Sequence, residues 1–160
     1  MAMTIPNHID AFWTTFLNSD ACPANASDLF LESFQIGSTA QAAHGGARLV
    51  LSGAKTATSS LLWQYELSGE PVPFAGSLSV LEDGRRSPVC VVRTTWVDTI
   101  PYGQLDEAFA RDYGETHDGR LQSWYEAFGD SYAKLCQSMG RELTADTPLV
   151  CERFEVIYRS

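Results

Sequence analysis

The chain has 160 residues, of which 44% are hydrophobic and 19% charged. That is enough for one domain with its own core, and too apolar for a disordered segment. Its formal net charge is −9, and Lys55 and Lys134 are its only lysines beside nine scattered arginines. A broad basic face that would hold a duplex by neutralising many phosphates is therefore excluded, and no duplex DNA partner is expected. A local site that reads one nucleotide or a short single strand is still permitted. The longest apolar runs, such as Val89–Val92, are strand-length and fall far short of the roughly 20 residues of a membrane helix, so no membrane partner is expected. Met1–Phe16 carries Asp10 and lacks a basic region followed by an apolar one, unlike a secretory signal. Cys22, Cys90, Cys136 and Cys151 are widely spaced, with no CxxC pair. Reduced thiols in a cytoplasmic protein are expected, not a zinc site or a disulfide framework.

Taken along the chain, Asn7 reads as the N-cap of a helix over residues 8–17, with Ile9, Phe12, Trp13 and Phe16 as its apolar stripe. The small polar residues 19–27 read as a loop. Residues 29–36 alternate well enough for a strand. Residues 39–52 form an Ala-rich helix that Gly45 and Gly46 weaken. Strands over residues 76–82 and 88–97 flank Asp83-Gly84-Arg85, a turn with hairpin chemistry. A short acidic helix is expected over residues 104–112. A longer one should span residues 120–139 and end at Gly140. The last strand covers residues 148–158. Strands and helices mix without a regular βαβ rhythm, which predicts the α+β class in a single domain. Residues 1–28 should be an N-terminal helix and loop packed on the domain formed by residues 29–160.

The most hydroxyl-rich stretch is Gly53-Ala54-Lys55-Thr56-Ala57-Thr58-Ser59-Ser60. It is not a phosphate-binding P-loop, because the positions that motif reserves for glycine hold Ala54 and Leu49. Two readings are open on the residues alone. One is a strand whose threonines satisfy β-propensity. The other is a site built on Lys55, which sits beside four hydroxyls. Glu115, His117 and Asp118 are three potential metal ligands within four residues. Ligands so close in one loop seldom converge, so a solvated acidic loop without metal is expected. Trp63, Tyr65, Trp124 and Tyr125 offer faces on which a base could stack.

The same residues resemble a known family. Gly53-x-Lys55-Thr56-x-Thr58 is similar to the G-x-K-T-x-T signature of the ASCH domain, the activating-signal-cointegrator homology family. The likeness continues in order through Trp63-x-Tyr65-Glu66, Pro73-x-x-Gly76, Arg93-Thr94-Thr95-x-Val97, Phe109-Ala110, Gly114-Glu115 and Trp124. It ends on Cys151-Glu152-Arg153-Phe154, which looks like the family's closing C-E-R-F strand. The resemblance implies a PUA-like β-barrel flanked by helices, with a cleft for single-stranded RNA or a modified nucleoside and no cofactor. In family members that are N4-acetylcytidine amidohydrolases, the signature supplies a Lys general base and a Thr nucleophile, which correspond to Lys55 and Thr58. Others are single-strand ribonucleases, in which Lys55 would activate a ribose hydroxyl.

The family's acid position holds Tyr113, so Glu115 would supply the acid, and a position often occupied by His holds Phe128. Thr56, Ser59, Trp63, Trp124 and Arg153 are then the candidate substrate-binding residues. Arg153 either pairs with Glu152 or holds a phosphate. A module that binds RNA or a nucleotide without catalysis is the alternative.

Overall fold

A computed structural model describes residues 3–160, and only Met1 and Ala2 lie outside it. Five strands make one sheet in the order β1-β3-β4-β5-β2. They are β1 (Phe30–Gln35), β2 (Ala57–Leu61), β3 (Leu78–Glu82), β4 (Pro88–Pro101) and β5 (Pro148–Arg159). All pairings are antiparallel except β1 with β3. Register shifts at Val91/Val92 and Thr94/Trp96 interrupt the long β4–β5 ladder. Such irregularities bend a strand and increase its twist, and here they curl the sheet. The α+β class holds, but the barrel is a half-barrel: β1 and β2 are its two edges and do not pair with each other.

Helices cover the sheet in three places. Helix α1 (Asp10–Leu17) lays Trp13 and Phe16, with the preceding Ile9, against Phe30, Leu78, Val80 and Val91. Asn7 does not cap it. Asn7 opens a 3-10 turn, Asn7–Ile9, and α1 starts from Ile9 without a side-chain cap. A four-residue helix, α2 (Ala26–Leu29), shortens the expected loop. Helix α3 (Ala40–Ser52) is capped by the Thr39 hydroxyl, which accepts from the Ala42 N–H. Its Ala47 and Val50 pack with Ile36, Leu81, Val92 and Phe154 on the opposite face of the sheet. Gly46 is needed there. A Cβ at that position would collide with the Ile36 side chain, so the residue that weakens the helix also lets it lie close to the sheet.

Helix α4 (Leu62–Ser68), α5 (Glu107–Tyr113) and α6 (Leu121–Ser138) complete the fold. The last two bury Phe109, Tyr113, Trp124, Tyr132 and Cys136 against Ala57, Leu61, Leu149 and Cys151. Helix α6 ends where expected, with Gly140 at φ +70° and the Arg141 N–H returning to the Cys136 carbonyl. The hairpin between β3 and β4 differs from expectation. Its left-handed residue is Arg86, not Gly84, and the Asp83 carboxylate accepts from the Arg85 and Ser87 N–H groups.

Candidate functional site

Strand alternation decides what the half-barrel presents. Leu81, Val92 and Phe154 share one face of the sheet and are roofed by α3. Two residues earlier along their strands, Ser79 and Glu152 point the same way where no helix covers them. The result is a cleft of about 870 Å³ between the β1 and β2 edges. Glu32 and Phe34 line it from β1, Thr58, Ser59 and Ser60 from β2, and Ser79 and Glu152 from the middle of the sheet. Tyr65 and Glu70 close one side, and Tyr113, Glu115, Phe128 and Tyr132 the other.

The signature loop runs from the end of α3 into β2. Gly53 caps the helix at φ +82°, and the Lys55 N–H returns to the Leu49 carbonyl. Thr56 is stitched on both sides: its N–H donates to the Asp112 carbonyl and its own carbonyl accepts from Phe154. This anchoring drives the Lys55 side chain inward, where the residue is 1% exposed. Its Nζ donates to the carbonyls of Ala57 (2.7 Å) and Tyr113 (3.1 Å) and pairs with Glu115 Oε2 at 2.7 Å. It also lies 3.5 Å from the centroid of the Tyr113 ring. All three N–H bonds of the ammonium are thus engaged. Burial lowers the Lys55 pKa from 10.5 to about 8, against the opposing pull of Glu115.

Gly114 makes this approach possible. It sits at φ +72°, and a Cβ there would lie far inside the contact distance of the Ala54 carbonyl. Lys55 and Glu115 therefore meet, and Glu115 and Thr58 both line the cleft, while Lys55 lies behind its wall. The Glu115 loop does not gather its other candidate ligands. Asp118 instead accepts from the Arg120 N–H and the Ser123 hydroxyl.

A hydroxyl network adjoins Thr58. Ser59 Oγ is 2.6 Å from Tyr132 Oη and 3.5 Å from Tyr113 Oη. Burial pushes the Tyr113 phenol up to about 12 and raises that of Tyr132, so both stay protonated donors near neutrality. Tyr113 is thus part of the cleft wall.

Four of the expected substrate contacts are elsewhere. Trp124 is fully buried among Tyr102, Tyr113, Phe128 and Tyr132, with no free face for a base. Trp63 is half-buried under the Arg141 guanidinium, 4.2 Å from its ring centroid. Thr56 bonds the Asp112 carbonyl, and Arg153 pairs with Asp112, not with Glu152. None of the four lines the cleft. Of that group only Ser59 does.

Glu32, Ser79 and Glu152 also line the cleft, although none was a candidate from the sequence. Burial raises Glu32 to about 7, helped by Glu70. It raises Glu152 to about 7 as well, with Glu32 adding to the shift and Thr94 and Lys55 opposing it. Thr94 Oγ1 donates weakly to Glu152 at 3.5 Å. A carboxylate in a C-E-R-F strand one residue out of phase with buried Cys151 was a signal that this side chain faces the other side of the sheet.

The ASCH domain family model matches residues 32–158. The ASCH domain from Lactobacillus crispatus JV V101 superposes with a TM-score of 0.87 at 29% identity, covering 98% of each chain. Protein EF3133 from Enterococcus faecalis V583 does so at 0.78 and 30% identity, covering 93% of this chain and 87% of that one. No curated protein matches the chain. Among the described residues no helix is long and apolar enough to cross a membrane.

Proposed function

This chain belongs to the ASCH domain family, and we propose that its cleft binds one nucleoside-sized ligand without phosphates and hydrolyses an amide of it. The observation that carries the reading is the composition of the cleft wall. Glu32, Glu70, Glu115 and Glu152 line it, and among the described residues no Lys, Arg or His does. The nearest cation, Lys55, is already bound by Glu115. A phosphate backbone entering such a wall finds no cation to pair with, so a free nucleoside fits better than an RNA strand or a duplex. Phe34 and Phe128 supply apolar surface for its ring.

In this reading Thr58 Oγ adds to the amide carbonyl carbon, and its proton is taken up by the Lys55–Glu115 pair. The same pair returns the proton to the leaving nitrogen as the carbon–nitrogen bond breaks. Water then hydrolyses the Thr58 ester, which releases the carboxylic acid and restores the hydroxyl. Tyr113 and Tyr132 are protonated donors at the same wall and can stabilise charge on the carbonyl oxygen.

The test is incubation with a mixture of N-acylated nucleosides followed by mass spectrometry. Wild type should deacylate at least one, and Thr58→Val should not. A second reading, binding without turnover, is favoured by the saturated coordination of Lys55: a base must have a lone pair to offer, and this ammonium has three acceptors around it. Ligand binding with no product from any acylated nucleoside would select that reading.

A further inference from the structure

The inner end of the cleft has its own chemistry, apart from the Lys55–Thr58 wall. Glu32 on β1 is opposite Ser79 on β3, and Glu152 rises from β5 across the curled sheet. Glu32 has no hydrogen bond or ion pair among the described residues. Among the described residues Glu152 has no ion pair and only the long contact to Thr94. Ser79 is 6% exposed, lines the cleft, and its hydroxyl has no partner among the described residues. Ser79 is nearly buried while Glu32 and Glu152 are half-buried, and all three open into the cleft, so their polar atoms are free for a group that enters it.

We propose that Glu32, Ser79 and Glu152 form a subsite for a cationic nitrogen group of the ligand, an alkylammonium or guanidinium, with the two carboxylates as acceptors and the Ser79 hydroxyl beside them. The inference rests on the proposal that this cleft is the ligand site, and it specifies the ligand's class. The sign follows from the surroundings. The ionisable groups facing the pair are Glu70 and Tyr65 from the α4 side and Lys55 from behind β2. The only cation among them is engaged elsewhere, so the subsite has a deficit of positive charge. Both carboxyls hold protons well above the ordinary carboxylate range, toward about 7. A cation that binds there must displace protons, whereas a neutral donor need not.

Isothermal titration at pH 7 in two buffers of different ionisation enthalpy tests the subsite. The probes are cytidine, a cytidine derivative carrying a primary aminoalkyl chain on the base, and agmatine. The aminoalkyl nucleoside should bind at least ten-fold tighter than cytidine and release protons. Glu32→Gln and Glu152→Gln should each remove most of that gain, while Glu126→Gln, exposed on α6, should not. Equal affinity for the two nucleosides, or tighter binding without dependence on Glu32 and Glu152, overturns the subsite and leaves the nucleoside reading standing. Agmatine binding that depends on both glutamates, with no binding of either nucleoside, supports the subsite and defeats the nucleoside reading. Failure of all three probes to bind overturns both. Circular dichroism of each Gln variant separates lost binding from lost fold, and Ser79→Ala provides a milder variant with the charges intact.

Discussion

Replacing Lys55 by Met keeps the length of the stem and removes the ammonium. Two buried carbonyls, Ala57 and Tyr113, then lose a donor, and Glu115 loses its partner at 2.7 Å. A buried polar group left unsatisfied costs roughly 1–3 kcal/mol, and the ring contact with Tyr113 adds about 1–2 kcal/mol. Against this, Met removes the desolvation of a buried cation, and the Glu115 side chain, 21% exposed, can turn toward water. The net loss is about 2–4 kcal/mol. For a domain of this size each kcal/mol moves Tm by about 2–4 °C, so Tm should fall by roughly 5–15 °C, read by thermal unfolding at pH 7. Hydrolysis of any acylated nucleoside should disappear in the same variant at temperatures where it is fully folded. A Tm within about 2 °C of wild type would mean that the ammonium is a spectator in its own cage and holds neither the carbonyls nor Glu115.

Three further outcomes follow from the same geometry. Glu152 titrates near 7 in the fold and near 4.5 without it. Its protonation therefore stabilises the native state fully below about 4.5, and that contribution is lost as pH rises through about 7. Glu152→Gln should gain on the order of 2 kcal/mol over wild type at pH 8 and nothing at pH 4.5, measured by urea unfolding at both pH values. Gly114→Ala places a side chain at φ +72° against the Ala54 carbonyl and should cost about 2–3 kcal/mol in the same unfolding assay. A thiol reagent applied to the native protein should label Cys22 alone. The other three cysteines are buried, with Cys90 and Cys151 pushed up to about 12, and all four should react in denaturant.

The elements written most plainly in the chain were those with a local cause. Gly140 stops α6 and the acidic run around Asp106 starts α5, where the Asp106 carboxylate accepts from the Phe109 N–H. Helix α4 was not legible. It follows directly on a hydroxyl-rich strand, and its start is Leu61, whose N–H is satisfied by the Gln64 side chain in place of a Ser, Thr or Asp cap. The half-barrel's open seam could not be read either, because it depends on bulges between β4 and β5 that join distant residues.

The site divides in the same way. Lys55, Thr58 and Ser59 lie in one short signature. Glu115 reaches Lys55 only because Gly114 permits the approach. Glu32, Ser79 and Glu152 come from three strands and meet through parallel pairing of β1 with β3 and the curl of the sheet. The tryptophans misled for a physical reason: proximity to a motif in sequence says nothing about which face of a helix is buried, and Trp124 lies on the core face of α6.

The central claim is that the cleft takes one nucleoside-sized ligand and rejects phosphate. Titration of the protein with a nucleoside, its 5′-monophosphate and a short single-stranded RNA of the same base, at one fixed ionic strength, tests it most directly. The nucleoside should bind, the monophosphate should bind at least ten-fold more weakly, and the RNA should bind no more tightly than the nucleoside. Monophosphate or RNA binding more tightly than the nucleoside, with affinity that falls steeply as salt is added, would contradict it.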